Sequence, residues 1–190
     1  MHKIVVNAIH EHVALAQRLG MELADQVLTL GRLLIDCAKQ GGTIFWCGNG
    51  GSAADSQHLA AELIGRFQRE RRAIASVALT TDTSILTAIG NDYSFREIFS
   101  RQVEGMVRHG DVLVGLSTSG NSENVLLAVR KAREKGAVTL GLLGRDGGQL
   151  RTECDHSLVV PSTDTARIQE MHILIGHILC DLVERDIAAH

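Results

Sequence analysis

Apolar residues recur at helical spacing between residues 2 and 40, at Val6, Ile9, Val13, Ala16 and Leu19, then at Leu23, Val27, Leu30 and Leu34. This period predicts two N-terminal helices with a break near Gly20. From Gly41 the rhythm changes. TIFWC is a short run of β-formers, closed by the glycine loop that follows it, and ADSQHLAAELIGRF returns to helical register. Strand, loop and helix therefore follow one another. The same grammar recurs at ASVALTT, then at DTSILTAIGN and FREIFSRQVEGMV, both helical. It recurs at DVLVGLS, a Ser/Gly loop and NSENVLLAVRKAREKG, at VTLGLLG and RDGGQLRTE, and at HSLVVPS before the long helix TARIQEMHILIGHILCDLVERDI.

Strands that alternate with helices predict an α/β fold with a parallel sheet flanked by helices. In such sheets a ligand sits beyond the carboxyl ends of the strands. Two of the strand-to-helix turns, CGNGGSAADSQHLA and LSTSGNSENVLLA, look like distant copies of one unit, so both loops are expected to line one site.

Composition narrows the class. The chain has 190 residues, 45% of them hydrophobic, 3% aromatic, with one proline. That is enough chain for one full hydrophobic core, so residues 1–190 are expected to form a single domain, with helices over 1–40 and an α/β core plus C-terminal helix over 41–190. Net charge is −3, and the basic cluster from Arg66 to Arg72 also holds Glu70 and has no aromatic ladder. Nucleic acid is not an expected partner. Cys37, Cys47, Cys154 and Cys180 are scattered without a CxxC, which reads as buried thiols in a reducing compartment. The N-terminal stretch lacks the pattern of a secretory signal, and no run is apolar for long enough to span a membrane. The expectation is a cytoplasmic protein.

The candidate chemistry lies in four places. STSGNS, Ser117 to Ser122, offers hydroxyls and glycine-freed N–H groups at a helix start, which suits a phosphate dianion. Ordinary N-capping accounts for one or two such residues but not for four hydroxyls. GxxxxGK[ST] is absent, so a nucleotide P-loop is not expected. Gly48, Gly50 and Ala53 do fit GxGxx[GA] after a strand, but the acidic residue a nicotinamide cofactor needs about 20 positions later is misplaced. His58 and Glu62, four apart, share one helical face.

In the C-terminal helix, Gln169, Glu170, His172 and His177 interrupt an apolar surface. At about 100° per residue, Gln169 and His177 stand roughly 80° apart and can converge, whereas His172 and His177 stand roughly 140° apart and cannot easily do so. Buried polar groups need partners, so residues like these are either paired singly or share a task. Two histidines, a carboxylate and an amide oxygen suit Zn(II), although glutamine is an uncommon zinc ligand. The same glutamate and histidine would also serve as general base and acid next to a carbonyl.

CGNGGSAADSQHLAAEL, ALTTDTSILTAIGNDYSFREIFSRQV, GDVLVGLSTSGNSENV and ARIQEMHILIGHILCDLVE together resemble the sugar isomerase (SIS) domain, most closely the phosphoheptose isomerases. The likeness runs in order from about residue 30 to 187. It implies a flavodoxin-like five-stranded parallel sheet, a homotetramer with active sites at subunit interfaces, and one Zn(II) per subunit. Carried over by position, the metal set is His58, Glu62, Gln169 and His177. The substrate contacts are Asn49, Gly50, Gly51, Ser52, Glu62, Arg66, Asn91, Asp92, Ser117, Thr118, Ser119, Ser122 and Gln169. Catalysis falls to Glu62 and His177. The implied reaction is aldose-ketose isomerisation of sedoheptulose 7-phosphate to D-glycero-D-manno-heptose 7-phosphate, for nucleotide-activated heptose. One departure is Ala166, where some members carry an aspartate. The rival expectation is a non-catalytic SIS scaffold that binds the replication initiator protein; its relatives lack the acid and base that Glu62 and His177 provide here.

Overall fold

The structure, a computed structural model, describes residues 1–189. Helices α1 (His2–Glu22) and α2 (Ala24–Lys39) precede β1 (Ile44–Gly48), α3 (Gly51–Ile64), β2 (Ser76–Ala78) and α4 (Thr83–Asp92). A 3₁₀ turn (Phe95–Glu97) leads into α5 (Ser100–Met106), β3 (Val112–Ser117), α6 (Glu123–Glu134) and β4 (Val138–Gly144). Then come α7 (Leu150–Glu153), β5 (His156–Val160) and α8 (Thr165–Ala188). All five strands pair in parallel, in the order β2-β1-β3-β4-β5. This is the flavodoxin-like order, whose switch point lies between β1 and β3.

Strand alternation sorts the core into two layers. Ile44, Trp46, Val114, Leu116, Leu140 and Leu158 point toward α1, α2, α3 and α8, where they meet Leu30, Leu34, Leu59, Leu63, Met171 and Leu179. Phe45, Cys47, Leu113 and Leu143 point the other way, onto Phe99, which caps α5, and onto Val103 of α5 and Val125 and Val129 of α6. The strands are buried on both sides, which is why they read as continuous apolar runs rather than alternating ones.

Several boundaries differ from the periodic pattern: FREIFSRQVEGMV splits into the 3₁₀ turn and α5, and ASVALTT pairs only over Ser76–Ala78. The first helical break falls at Leu23, not near Gly20, because Leu23 N–H still bonds to Leu19 O and Gly20 continues α1. A single glycine inside a helix costs only about 1 kcal/mol and need not end it. Helix α3 starts three residues before Ala54 and stops at Ile64. Gly50 takes φ 56°, a left-handed turn open to glycine, and so launches the helix directly after the strand.

Candidate active site

The two loops at the switch point are tied together by their own amides. Asn49, just beyond β1, donates from Nδ2 to Asn124 Oδ1 and accepts from Asn124 Nδ2, each at 2.8 Å. The Asn49 side chain is therefore occupied in joining the loop after β1 to the first turn of α6. Beside it, Ser117 Oγ lies 2.9 Å from Ser122 Oγ and 3.4 Å from Ser119 Oγ, and Gly120 N–H donates to Ser117 Oγ. Ser122 is the N-cap residue of α6, yet its hydroxyl makes no capping bond and turns to Ser117 instead. Val125 N–H instead donates to Asn124 Oδ1 at 3.0 Å, which leaves the N–H groups of Glu123 and Asn124 without a capping partner. Glu123, the one acidic residue of that turn, is paired with Arg96 at 2.8 Å. Thr118 and Ser119 are half-buried at the same mouth.

On the other face of the sheet, α3 and α8 bring three ligand atoms to one point. His58 Nε2 stands 2.8 Å from His177 Nε2 and 3.3 Å from Glu62 Oε1, and one donor atom from each residue lies within 4.8 Å of the others. His58 is 48% exposed and Glu62 21%, so the group opens to solvent through His58. The imidazoles meet edge to face, centroids 5.0 Å apart. Phe67 stacks on the far side of His177 at 5.4 Å with planes 23° apart. Burial, followed by neighbouring His58, holds the His177 imidazole below its ordinary pKa against the pull of Glu62.

This group could hold a metal. Donors bonded at 2.0–2.1 Å to a tetrahedral ion stand about 3.3 Å apart, close to the spacing seen, and two histidines with one glutamate form a known catalytic donor set with a position to spare. Two imidazole nitrogens this close must either share a proton or face a common cation. Beside them, Asp55 has a buried Oδ2 with no partner; burial pushes its carboxyl upward, while Gln169 and His58 pull the other way. The site therefore carries an unsatisfied carboxylate oxygen as well.

Gln169 lies across Gly51, where an added Cβ would overlap its amide, and it approaches Asp55 about one turn before His58. Gly50 and Gly51 together let the chain turn and let α8 approach. Ser52, buried behind them, accepts from Ser56 Oγ through its carbonyl. His172, in contrast, is buried with Nε2 3.0 Å from Leu143 O, away from the group, in keeping with the angular separation on the helix. Arg66 is exposed, 4.0 Å from Glu70. Asn91 and Asp92 sit at the exposed end of α4, where Asn91 Nδ2 donates to Asp92 Oδ1 at 2.8 Å. Among the described residues no hydrogen bond or ion pair joins them to the two loops. Ala166 donates its N–H to Asp164, the N-cap of α8.

Three participants escape pattern reading. Asp55 has a local signal, standing three residues before His58 on the same face. Asn124 and Phe67 have none, since only the folded chain shows that one pairs with Asn49 and the other with His177.

Residues 9–144 match the SIS domain family. The chain is 59% identical over 169 residues to the phosphoheptose isomerase of Geobacter sulfurreducens, covering 89% of each chain. It is 56% identical over 184 residues to that of Campylobacter jejuni, covering 97% of this chain and 98% of the relative. The solved phosphoheptose isomerase from Neisseria gonorrhoeae superimposes with a TM-score of 0.92 at 46% identity, over 97% of this chain and 98% of the other. The chain belongs to the SIS domain family and, within it, to the phosphoheptose isomerases.

Proposed function

We propose that the protein, as one SIS domain over residues 1–190, isomerises sedoheptulose 7-phosphate to D-glycero-D-manno-heptose 7-phosphate. The observation that carries this reading is the meeting of Glu62 and His177, from two different helices, at one point, in a chain whose β3–α6 turn presents a cluster of serine hydroxyls.

The Ser117–Ser122 loop binds the phosphate of the open-chain sugar, with Thr118, Ser119 and the N–H groups of Glu123 and Asn124 completing the cradle. Fixing that end brings C1 and C2 to the other side of the switch point, so that the reaction proceeds within one bound pose. Glu62 takes the proton from one carbon and returns it to its neighbour through an enediol. His177, whose pKa burial and His58 lower, relays a proton between the two oxygens. His58, Glu62, Gln169 and His177 would hold one Zn(II) per subunit, which when bound supplies Lewis-acid polarisation of the substrate oxygens.

Exposed Val5, Ile9 and Val13 form an apolar stripe at i, i+4 spacing on α1, which supports association with further copies, in this reading as a homotetramer. Asn91, Asp92 and Arg66, exposed within one protomer, would then complete sites shared between subunits. The buried free thiols suit a reducing cytoplasm. No described helix is long and apolar enough to cross a membrane. In this reading the product feeds heptose synthesis for lipopolysaccharide. A scaffold has no use for a solvent-accessible imidazole–carboxylate pair, and nothing in the geometry favours that role.

The test is to incubate the purified protein with sedoheptulose 7-phosphate and follow the sugar by NMR, with and without chelator. Wild-type protein should form the aldose, and Glu62→Gln should not. A Glu62→Gln or His177→Asn variant with near-normal turnover places the base elsewhere.

A further inference from the structure

Glu184 on α8 is fully buried, and it is not among the residues that face the candidate active site. It lies seven residues, about two turns, beyond His177 and so on nearly the same side of the helix. Its carboxylate accepts three backbone N–H groups: Phe67 at 2.8 Å on Oε1, Gln68 at 2.7 Å and Arg69 at 2.8 Å on Oε2. Against Oε1, at 3.5 Å, lies Nε of Arg71, a side chain 1% exposed. The Arg71 guanidinium in turn donates to the carbonyls of Glu62 at 2.8 Å and Gly65 at 2.8 Å, the open C-terminal end of α3. It thereby satisfies carbonyls that the helix leaves without partners.

We infer that the Arg71–Glu184 pair is a positioning device that sets the Phe67 ring against His177 and the end of α3 that carries Glu62 against α8. This inference rests on the catalytic reading of Glu62 and His177. Desolvation makes a buried ion pair a poor stabiliser by itself, and apolar side chains of similar volume would fill the same space but leave the three N–H groups and the α3 carbonyls without partners. They would not hold three successive N–H groups in a fixed turn. What the pair supplies is geometry: one end reaches the ring stacked on the imidazole, and the other reaches the main chain of the carboxylate residue. Neither residue is placed to touch substrate. Asp181 reinforces the same turn through Arg69 Nη1 at 2.7 Å.

Glu184→Gln keeps the size of the side chain but presents an amide N–H₂ to a group of donors. Phe67→Leu leaves the clamp intact and removes the stacked ring. Both variants are to be compared with wild type by kcat and KM for sedoheptulose 7-phosphate and by the NMR shifts of the His177 ring protons, which report the Phe67 ring current. In folded, wild-type-sized oligomers, kcat should fall about 10- to 100-fold with KM within about threefold, since displacement of a positioned group by about 1 Å costs on that order. The His177 resonances should move in the same direction in both variants. Unchanged kcat and unchanged His177 shifts in Glu184→Gln overturn the inference and leave the pair a purely structural contact. Should that variant not fold, Phe67→Leu decides: normal kcat overturns the inference. If wild type itself lacks turnover, the catalytic reading fails while the ring shifts still test the geometry.

Discussion

His58 and His177, 119 positions apart in sequence, bring their Nε2 atoms to 2.8 Å, with Glu62 closing the third side. Two imidazole nitrogens this close, with a carboxylate beside them, either share a proton or face a common cation.

Zinc should therefore bind and stabilise. At about 100 times its dissociation constant, a ligand selective for the folded state adds about 2.7 kcal/mol. Thermal unfolding with and without zinc should show this increment in the wild type and its loss in His58→Ala; calorimetric titration should show the matching loss of binding. An undiminished increment in the variant would remove His58 from the metal set.

Gly51→Ala should be costly out of proportion to a methyl group, because its Cβ overlaps the Gln169 amide. Overpacking of this kind costs about 1–3 kcal/mol, read as a lower denaturation midpoint, and turnover should drop at least about tenfold. Adding Gln169→Ser should restore the midpoint but not the turnover. Recovery of both would mean that Gln169 has no part in the chemistry.

Ser122→Ala should weaken substrate binding more than it slows the bound substrate. Hydrogen bonds to charged groups contribute about 1.5–3 kcal/mol, so KM should rise about 10- to 100-fold with kcat nearly unchanged. Helix α6 should keep its stability, since Ser122 does not cap it. A large fall in kcat with constant KM would place the phosphate elsewhere.

His172 makes stability depend on pH. Burial, opposed by its bond to the Leu143 carbonyl, lowers its pKa from 6.5 to about 4. Between those values the unfolded chain binds a proton that the folded chain refuses, so stability is full above pH 6.5 and is lost as pH falls toward 4. The loss is about 3 kcal/mol. Urea denaturation of metal-free protein at pH 7 and pH 4.5 measures it. His172→Gln, which keeps a donor for Leu143 O, should show a distinctly flatter profile; an identical profile assigns the acid sensitivity to other groups.

Much of this architecture is written in local pattern. The apolar runs of β1, β3 and β4 and the 3.6-residue period of α6 and α8 place the elements within a few residues, and the hydroxyl-rich turn after β3, proposed here as the phosphate site, stands out in the sequence. An angular separation of about 140° on one helix already sets His177 apart from His172. What local pattern does not carry is pairing across the fold. Asn124 reads as an ordinary residue in the first turn of a helix, and Glu184 as one more polar residue in a charged tail. Their roles arise from which backbone or amide happens to face them in space. Asn91 and Asp92 show the opposite limit, since family likeness assigns them a contact that one protomer does not assemble.

The placement of the two half-sites on opposite faces of the sheet has a consequence for descent. In the proposed reading, anchorage of the phosphate belongs to α6 and its layer, whereas bond-making belongs to α3 and α8 behind the other layer. Substitutions that rewrite the catalytic layer can leave the grip on the phosphorylated end intact, so a lineage of this architecture can trade turnover for mere sensing without first losing its ligand.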